Sequence, residues 1–252
     1  GIKKLDNEAR AYHAAVTLPF DQGIGILPAA LIMEYGDRIR HFKAMRDNLV
    51  ENEFLKDPQR CIDWAVQNHN GTFDPDQYPG VARGVDFTGK VVGYEVNPEE
   101  FRQTMREKFS FRCEPLPVPD AAHFEGTLSS LLGVDAEGVN IRVQDAMQEG
   151  MKELMRRLIE PVQAMAAKLA ESPRGDRDDI VFRDSLIGNV KEIAELAPKL
   201  NISGDPQIDA FAAEMAGLAN YAPDTLRKDK ATRSEAAKAA GAMLERLSGY
   251  KL

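Results

Sequence analysis

Four histidines and two cysteines are the side chains of this sequence best suited to chemistry, and their spacing decides what chemistry they could do. His13, His41, His69 and His123 never stand at metal-ligand spacing from one another, no His-Glu-x-x-His occurs, and Cys61 and Cys113 lie in no Cys-x-x-Cys. One loop comes nearest to a metal site, where Asn68-His69-Asn70-Gly71-Thr72-Phe73-Asp74-Pro75-Asp76 sets an imidazole near two carboxylates. A calcium loop starting at Asp74 would need Gly and Glu where Pro79 and Val85 stand, so a proline-bearing turn is the simpler reading. No Gly-x-Ser-x-Gly is present, and Ser185 falls in a helical seam where local hydrogen bonding explains it. Gly23-Ile24-Gly25 is too short to cradle a dinucleotide and follows no strand. Glu99-Glu100 and Asp178-Asp179 begin expected helices, where the helix dipole already favours acidic residues. No enzyme, metal or cofactor is expected.

Two other groups could bind rather than catalyse. Arg227, Lys228, Lys230, Arg233 and Lys238 crowd the last helical stretch, and residues 223–252 carry seven Lys or Arg against four Asp or Glu. Such an arm could contact phosphates, with Tyr221 and Tyr250 at its ends to stack on bases. The simpler reading is a solvated face that pairs with acidic residues in the bundle or in a second subunit. Met147, Met151, Met155 and Met165 form a stripe that is either core filler or an adaptable partner-binding face.

The elements that must position these residues are mostly helical. Gaps of three and four among apolar residues predict helices over 3–16, 28–56 and 59–69. Residues 70–98 have the glycine and proline content of loops, with Val91–Val96 as a strand candidate. A helix follows over 98–107, and then Phe109–Glu114 alternates with period two, so a second strand is expected to pair with the first. From 137 to 171, Val143, Met147, Met151, Leu154, Leu158, Val162, Met165 and Leu169 step mostly by four and three, with a kink expected at Pro161. That helix would span about 50 Å, so part of it should project as a rod, with helix 28–56 as antiparallel partner. Leu186, Val190, Ile193, Ala197 and Leu200 give a 4-3-4-3 seam over 179–199, followed by helices over 206–220 and 223–248. The fold expected is mainly α: an elongated bundle or coiled-coil hairpin of residues 1–69 and 136–252, with a small α+β or loop-rich insertion over 70–135.

Several segments resemble phage and prophage proteins grouped as a family of unknown function. They are Tyr12-His13-Ala14-Ala15-Val16-Thr17-Leu18-Pro19-Phe20, Ile26-Leu27-Pro28-Ala29-Ala30, Phe73-Asp74-Pro75-Asp76-Gln77-Tyr78-Pro79, Phe109-Ser110-Phe111-Arg112 and Leu116-Pro117-Val118-Pro119. Phe182-Arg183-Asp184-Ser185-Leu186-Ile187 and Leu200-Asn201-Ile202 fit as well. The chain departs from the family at the connector, where an arginine would be expected near Ile24. The resemblance implies a virus-encoded cytoplasmic helical protein acting on phage nucleic acid or on a host component, and carries over no catalytic residue.

Length and charge bound the rest. The 252 residues allow one large or two small domains, and a 43% hydrophobic share excludes disorder of the whole chain. No run approaches the ~18 apolar residues of a membrane span, and the opening residues lack the apolar core of a secretory signal. A net charge of −8 argues against a globally nucleic-acid-binding surface. Two thiols and nine methionines fit a reducing cytoplasm. The leading expectation is a non-enzymatic, homo-oligomeric helical protein that binds a phage or host protein. The alternative is a nucleic-acid-binding protein that coats or anneals single strands through its basic C-terminal helix.

Overall fold

Helix makes up 72% of the described residues of the computed structural model, which fixes the class as mainly α; two two-stranded antiparallel sheets are the only other regular structure among them. The described residues are 1–21, 24–68, 73–118, 136–170 and 182–250. In chain order the elements are α1 (Ile2–Val16), β1 (Leu18–Asp21), β2 (Ile24–Ile26), α2 (Ile32–Leu49), α3 (Pro58–Asn68), β3 (Val81–Val85), β4 (Val91–Val96), α4 (Pro98–Lys108), α5 (Ala136–Leu169), α6 (Asp184–Leu200), α7 (Pro206–Leu218), α8 (Pro223–Lys228) and α9 (Lys230–Gly249). Two compact units emerge: Gly1–Tyr12 with Glu34–Leu116, and His13–Met33 with Pro117–Leu252. The composition change at residue 70 is therefore not where the chain divides, because α2 and α3 share a unit with the β3–β4 region.

In the first unit, Val50, Leu55, Ile62, Phe101 and Met105 form the buried core. A π-helical turn over Val50–Phe54 extends α2 and aims Val50 and Phe54 into that cluster, which ends the helix short of the expected residue 56. Leu5 and Ala9 of α1 pack on Phe42 of α2. Arg46 is buried beside them, donating to the Asp6 carboxylate at 2.9 Å and to the Phe109 carbonyl.

That last bond shows why Phe109–Glu114 is not the strand its alternation predicts. Phe109 closes α4, its ring meets Phe54 edge-on at 4.9 Å, and its carbonyl is taken by a guanidinium rather than by a neighbouring strand. The partner of β4 is instead Val81–Val85, in register Val81↔Val96 through Val85↔Val91.

In the second unit α5 is the axis. It packs against α9, α6 and β1, and α6 packs against α7. The expected partner, helix 28–56, is mostly a member of the first unit. Met151, Leu154, Met155, Leu158, Val162, Met165 and Leu169 of α5 are buried, and Pro161 lies inside the helix without ending it. From Glu137 to Asp145 no side chain of α5 is buried. Ile187, Val190, Ile193, Ala194, Ala197 and Leu200 make α6 apolar along one side.

Two local features differ from expectation. β1 and β2, which no expected element covers, pair antiparallel, and Leu18 of β1 is fully buried, with its Cβ 3.3 Å from where a Cβ on Gly150 would lie. Strands of four and three residues, one with Pro19, are too short to show a period in sequence. The last helix is two, because the Asp229 carboxylate accepts from the backbone of Ala231 at 3.0 Å and Thr232 at 3.3 Å and starts a new helix. No helix among the described residues is long and apolar enough to cross a membrane.

Candidate functional site

The β3–β4 hairpin is built from two halves with opposite characters. At its base, Val81, Tyr94 and Val96 pack on the core of the first unit. Gln59 of α3 donates to the Tyr94 carbonyl at 2.9 Å, and Arg83 reaches the carboxylates of Asp76 at 3.2 Å and Asp74 at 3.7 Å. Gly80 makes this docking possible: its φ is +83°, and a Cβ there would lie 2.9 Å from the Phe101 backbone nitrogen. Beyond Gly84 and Gly93 the core no longer covers the ribbon. Val85, Val91 and Val92 are 57%, 42% and 67% exposed, and Phe87 at the tip is 100% exposed.

The tip is nonetheless well ordered by its own hydrogen bonds. The Asp86 carboxylate accepts from the Thr88 hydroxyl at 2.6 Å, the Thr88 backbone at 2.8 Å and the Lys90 backbone at 3.1 Å. The Asp86 backbone donates to the Lys90 carbonyl at 2.9 Å, and Gly89 turns the chain at φ +82°. These bonds, that of the Thr88 hydroxyl foremost, hold the Asp86 carboxyl below its ordinary range. A phenylalanine held in water on a turn this fully bonded is pre-organised for contact.

Elsewhere the surface offers less. A cleft of about 470 Å³ lies between the hairpin base and the start of α4. Its polar lining is Glu95, Glu100 and Asn97, and Asn97 is already capping α4 through the backbone of Glu99 and Glu100. No histidine, cysteine, serine or threonine lines it. Tyr35 and Cys113 share a hydrogen bond at 3.2 Å, and burial, the first cause, pushes the Tyr35 hydroxyl far up its scale.

The binding residues expected from sequence are scattered by the fold. Met151, Met155 and Met165 are buried among the helices of the second unit, so they are core and unavailable to a partner; Met147 alone is exposed, at 38%. A helix stripe shows only that one side is apolar, and here the cover comes from α9 and α6 of the same chain. In the basic cluster, Arg227 donates to the Phe182 carbonyl and to the carboxylates of Asp184 and Asp224. Arg233 is buried and donates to the carbonyls of Leu226 and Arg227, closing the end of α8. Lys228, Lys230 and Lys238 are exposed. Two of the five cations thus hold the fold together, which leaves three lysines for any phosphate.

His69 lies outside the described residues, and its two supposed companion carboxylates face Arg83. Among the described residues no group of three or more His, Cys, Asp or Glu could hold a metal ion. The hairpin tip was legible only in part: Val91–Val96 reads as a strand, while Asp86-Phe87-Thr88-Gly89-Lys90 reads as loop composition. Two valine-bearing runs around a five-residue, glycine-bearing turn are its sequence signal. Comparison with known proteins finds no matching family, no matching curated protein and no matching solved structure.

Proposed function

We propose that this is a non-enzymatic, phage-type interaction protein that binds another protein through the β3–β4 hairpin. The observation that carries this reading is Phe87, fully exposed on a turn that Asp86 holds with three hydrogen bonds. Aromatic anchors of this kind dominate binding energy when they enter a desolvated pocket, and pre-ordering lowers the cost of placing them there. Val85, Val91 and Val92 of the flanking strands add exposed apolar surface, whose removal from water favours binding. The occupant this surface fits is a folded protein offering exposed apolar surface that a phenyl ring can cover. Nucleic acid is the weaker reading, since Arg227 and Arg233 are committed to Asp184, Asp224 and main-chain carbonyls.

A photo-crosslinking side chain in place of Phe87, in the full chain inside producing cells, tests the reading. A protein adduct that forms from Phe87, is absent when the crosslinker replaces Lys238, and disappears with Val92→Asp is the expected result. No adduct from Phe87, or an equal one from Lys238, would overturn it.

A further inference from the structure

We infer that the protein on the hairpin is a second copy of this chain, the two hairpin tips packing against each other about a two-fold axis. This rests on the protein-binding reading above and names its partner. A symmetric contact requires one patch to carry both halves of the interaction. This patch does: Phe87 is fully exposed at the turn, and Val85, Val91 and Val92 of the two strands that flank the turn add exposed apolar surface. Phe87 of each copy covers the valines of the other.

Charge points the same way. The chain carries −8 overall, so two copies repel across most approaches. Residues 81–96 hold Arg83 and Lys90 against Asp86 and Glu95, a neutral stretch in an acidic protein. Arg83 is moreover turned to Asp76 and Asp74 at the base of the hairpin. The tip is therefore a place where two copies meet without local like-charge cost.

Area sets the strength. A fully exposed phenylalanine offers roughly 150–250 Å². With the valines, two tips cover on the order of 600–1,000 Å², below the ~1,200 Å² where stable specific interfaces begin. The dimer is consequently weak, reversible and concentration-dependent. Added salt strengthens it by screening the net charge, the opposite of its effect on phosphate binding.

Analytical ultracentrifugation of the purified full chain, from low micromolar to several hundred micromolar, tests this at low and moderate salt. The expected result is a monomer–dimer equilibrium that tightens with salt and weakens roughly tenfold or more in Phe87→Ser. Helical content of the variant, by circular dichroism, should match the parent, since Phe87 touches no core. Val92→Thr, which keeps a β-branched residue, should weaken the dimer by a smaller factor. A parent that stays monomeric throughout, or a dimer indifferent to both substitutions, would overturn the inference. The crosslinking experiment separates the two failures: an adduct from Phe87 to a chain of different mass ends self-pairing and leaves protein binding standing, whereas no adduct ends both.

Discussion

Asp86 is where the smallest change should have the clearest local effect. Its carboxylate accepts from Thr88 and Lys90, and those bonds depress its pKa, so the charged form is the one the folded turn prefers. The stabilisation is present above the ordinary carboxylate range and is lost as pH falls through the depressed folded value. Asp86→Ala should leave the helices intact and speed amide hydrogen exchange at Thr88, Gly89 and Lys90. Hydrogen–deuterium exchange read by mass spectrometry checks this, and unchanged protection there would show that the turn is held by Gly89 and the strands alone. The residue scale is also where sequence reading reaches least far. Asp86, Asp229 and Asp205 are chemically alike, yet one orders a hairpin tip, one splits a helix and one caps α7 through the Gln207 backbone at 2.8 Å. Their roles follow from which backbone amides stand free nearby, which the side chain itself does not record.

Among elements, α8 and α9 show how a basic patch can mislead. Arg233 sits buried against the end of α8, and its guanidinium satisfies carbonyls that no helical bond reaches. Arg233→Ala should cost about 1–3 kcal/mol in chemical denaturation, because those acceptors lose a charged donor. Lys228→Ala, Lys230→Ala and Lys238→Ala combined should cost little stability, since all three are exposed. If Arg233→Ala proves as neutral as the triple variant, its capping role is refuted. Reversing all five cations would therefore confuse unfolding with lost binding. Long apolar periods were well read at this scale: α5 and the seam of α6 lie within a few residues of where their spacing puts them. The elements missed were strands too short or too mixed in composition to show a period. β3 is diluted by Ala82, Arg83 and Gly84, and it becomes a strand only because β4 lies alongside. Phe109–Glu114 has the alternation of a strand and pairs with no strand among the described residues.

Across the whole molecule, the fold class was legible because helix needs only a local pattern, whereas the division into units depends on contacts between remote segments. The second unit ties its early and late parts together at α5. Arg157 donates to the carbonyls of Ala15 at 2.9 Å and Thr17 at 3.0 Å, and Glu153 orients it at 2.8 Å. Glu153 is pulled down from 4.5 to about 2, first by its hydrogen bond with Arg156 and then by Arg157. Its stabilising effect is thus complete above about 4.5 and lost on acidification towards about 2. Glu153→Gln should flatten that part of the acid-unfolding profile followed by circular dichroism, and an unaltered profile would assign the acid sensitivity to other carboxylates. The same tie has a consequence for synthesis. Leu18 is synthesised more than a hundred residues before Gly150 of α5, against which it packs. All segments of the first unit are made by Leu116, so it is free to fold while the nascent β1–β2 hairpin is still waiting for α5. Through that interval a leucine destined for full burial is bare on the growing chain, and the speed of translation between the two points sets how long it must be kept from aggregating.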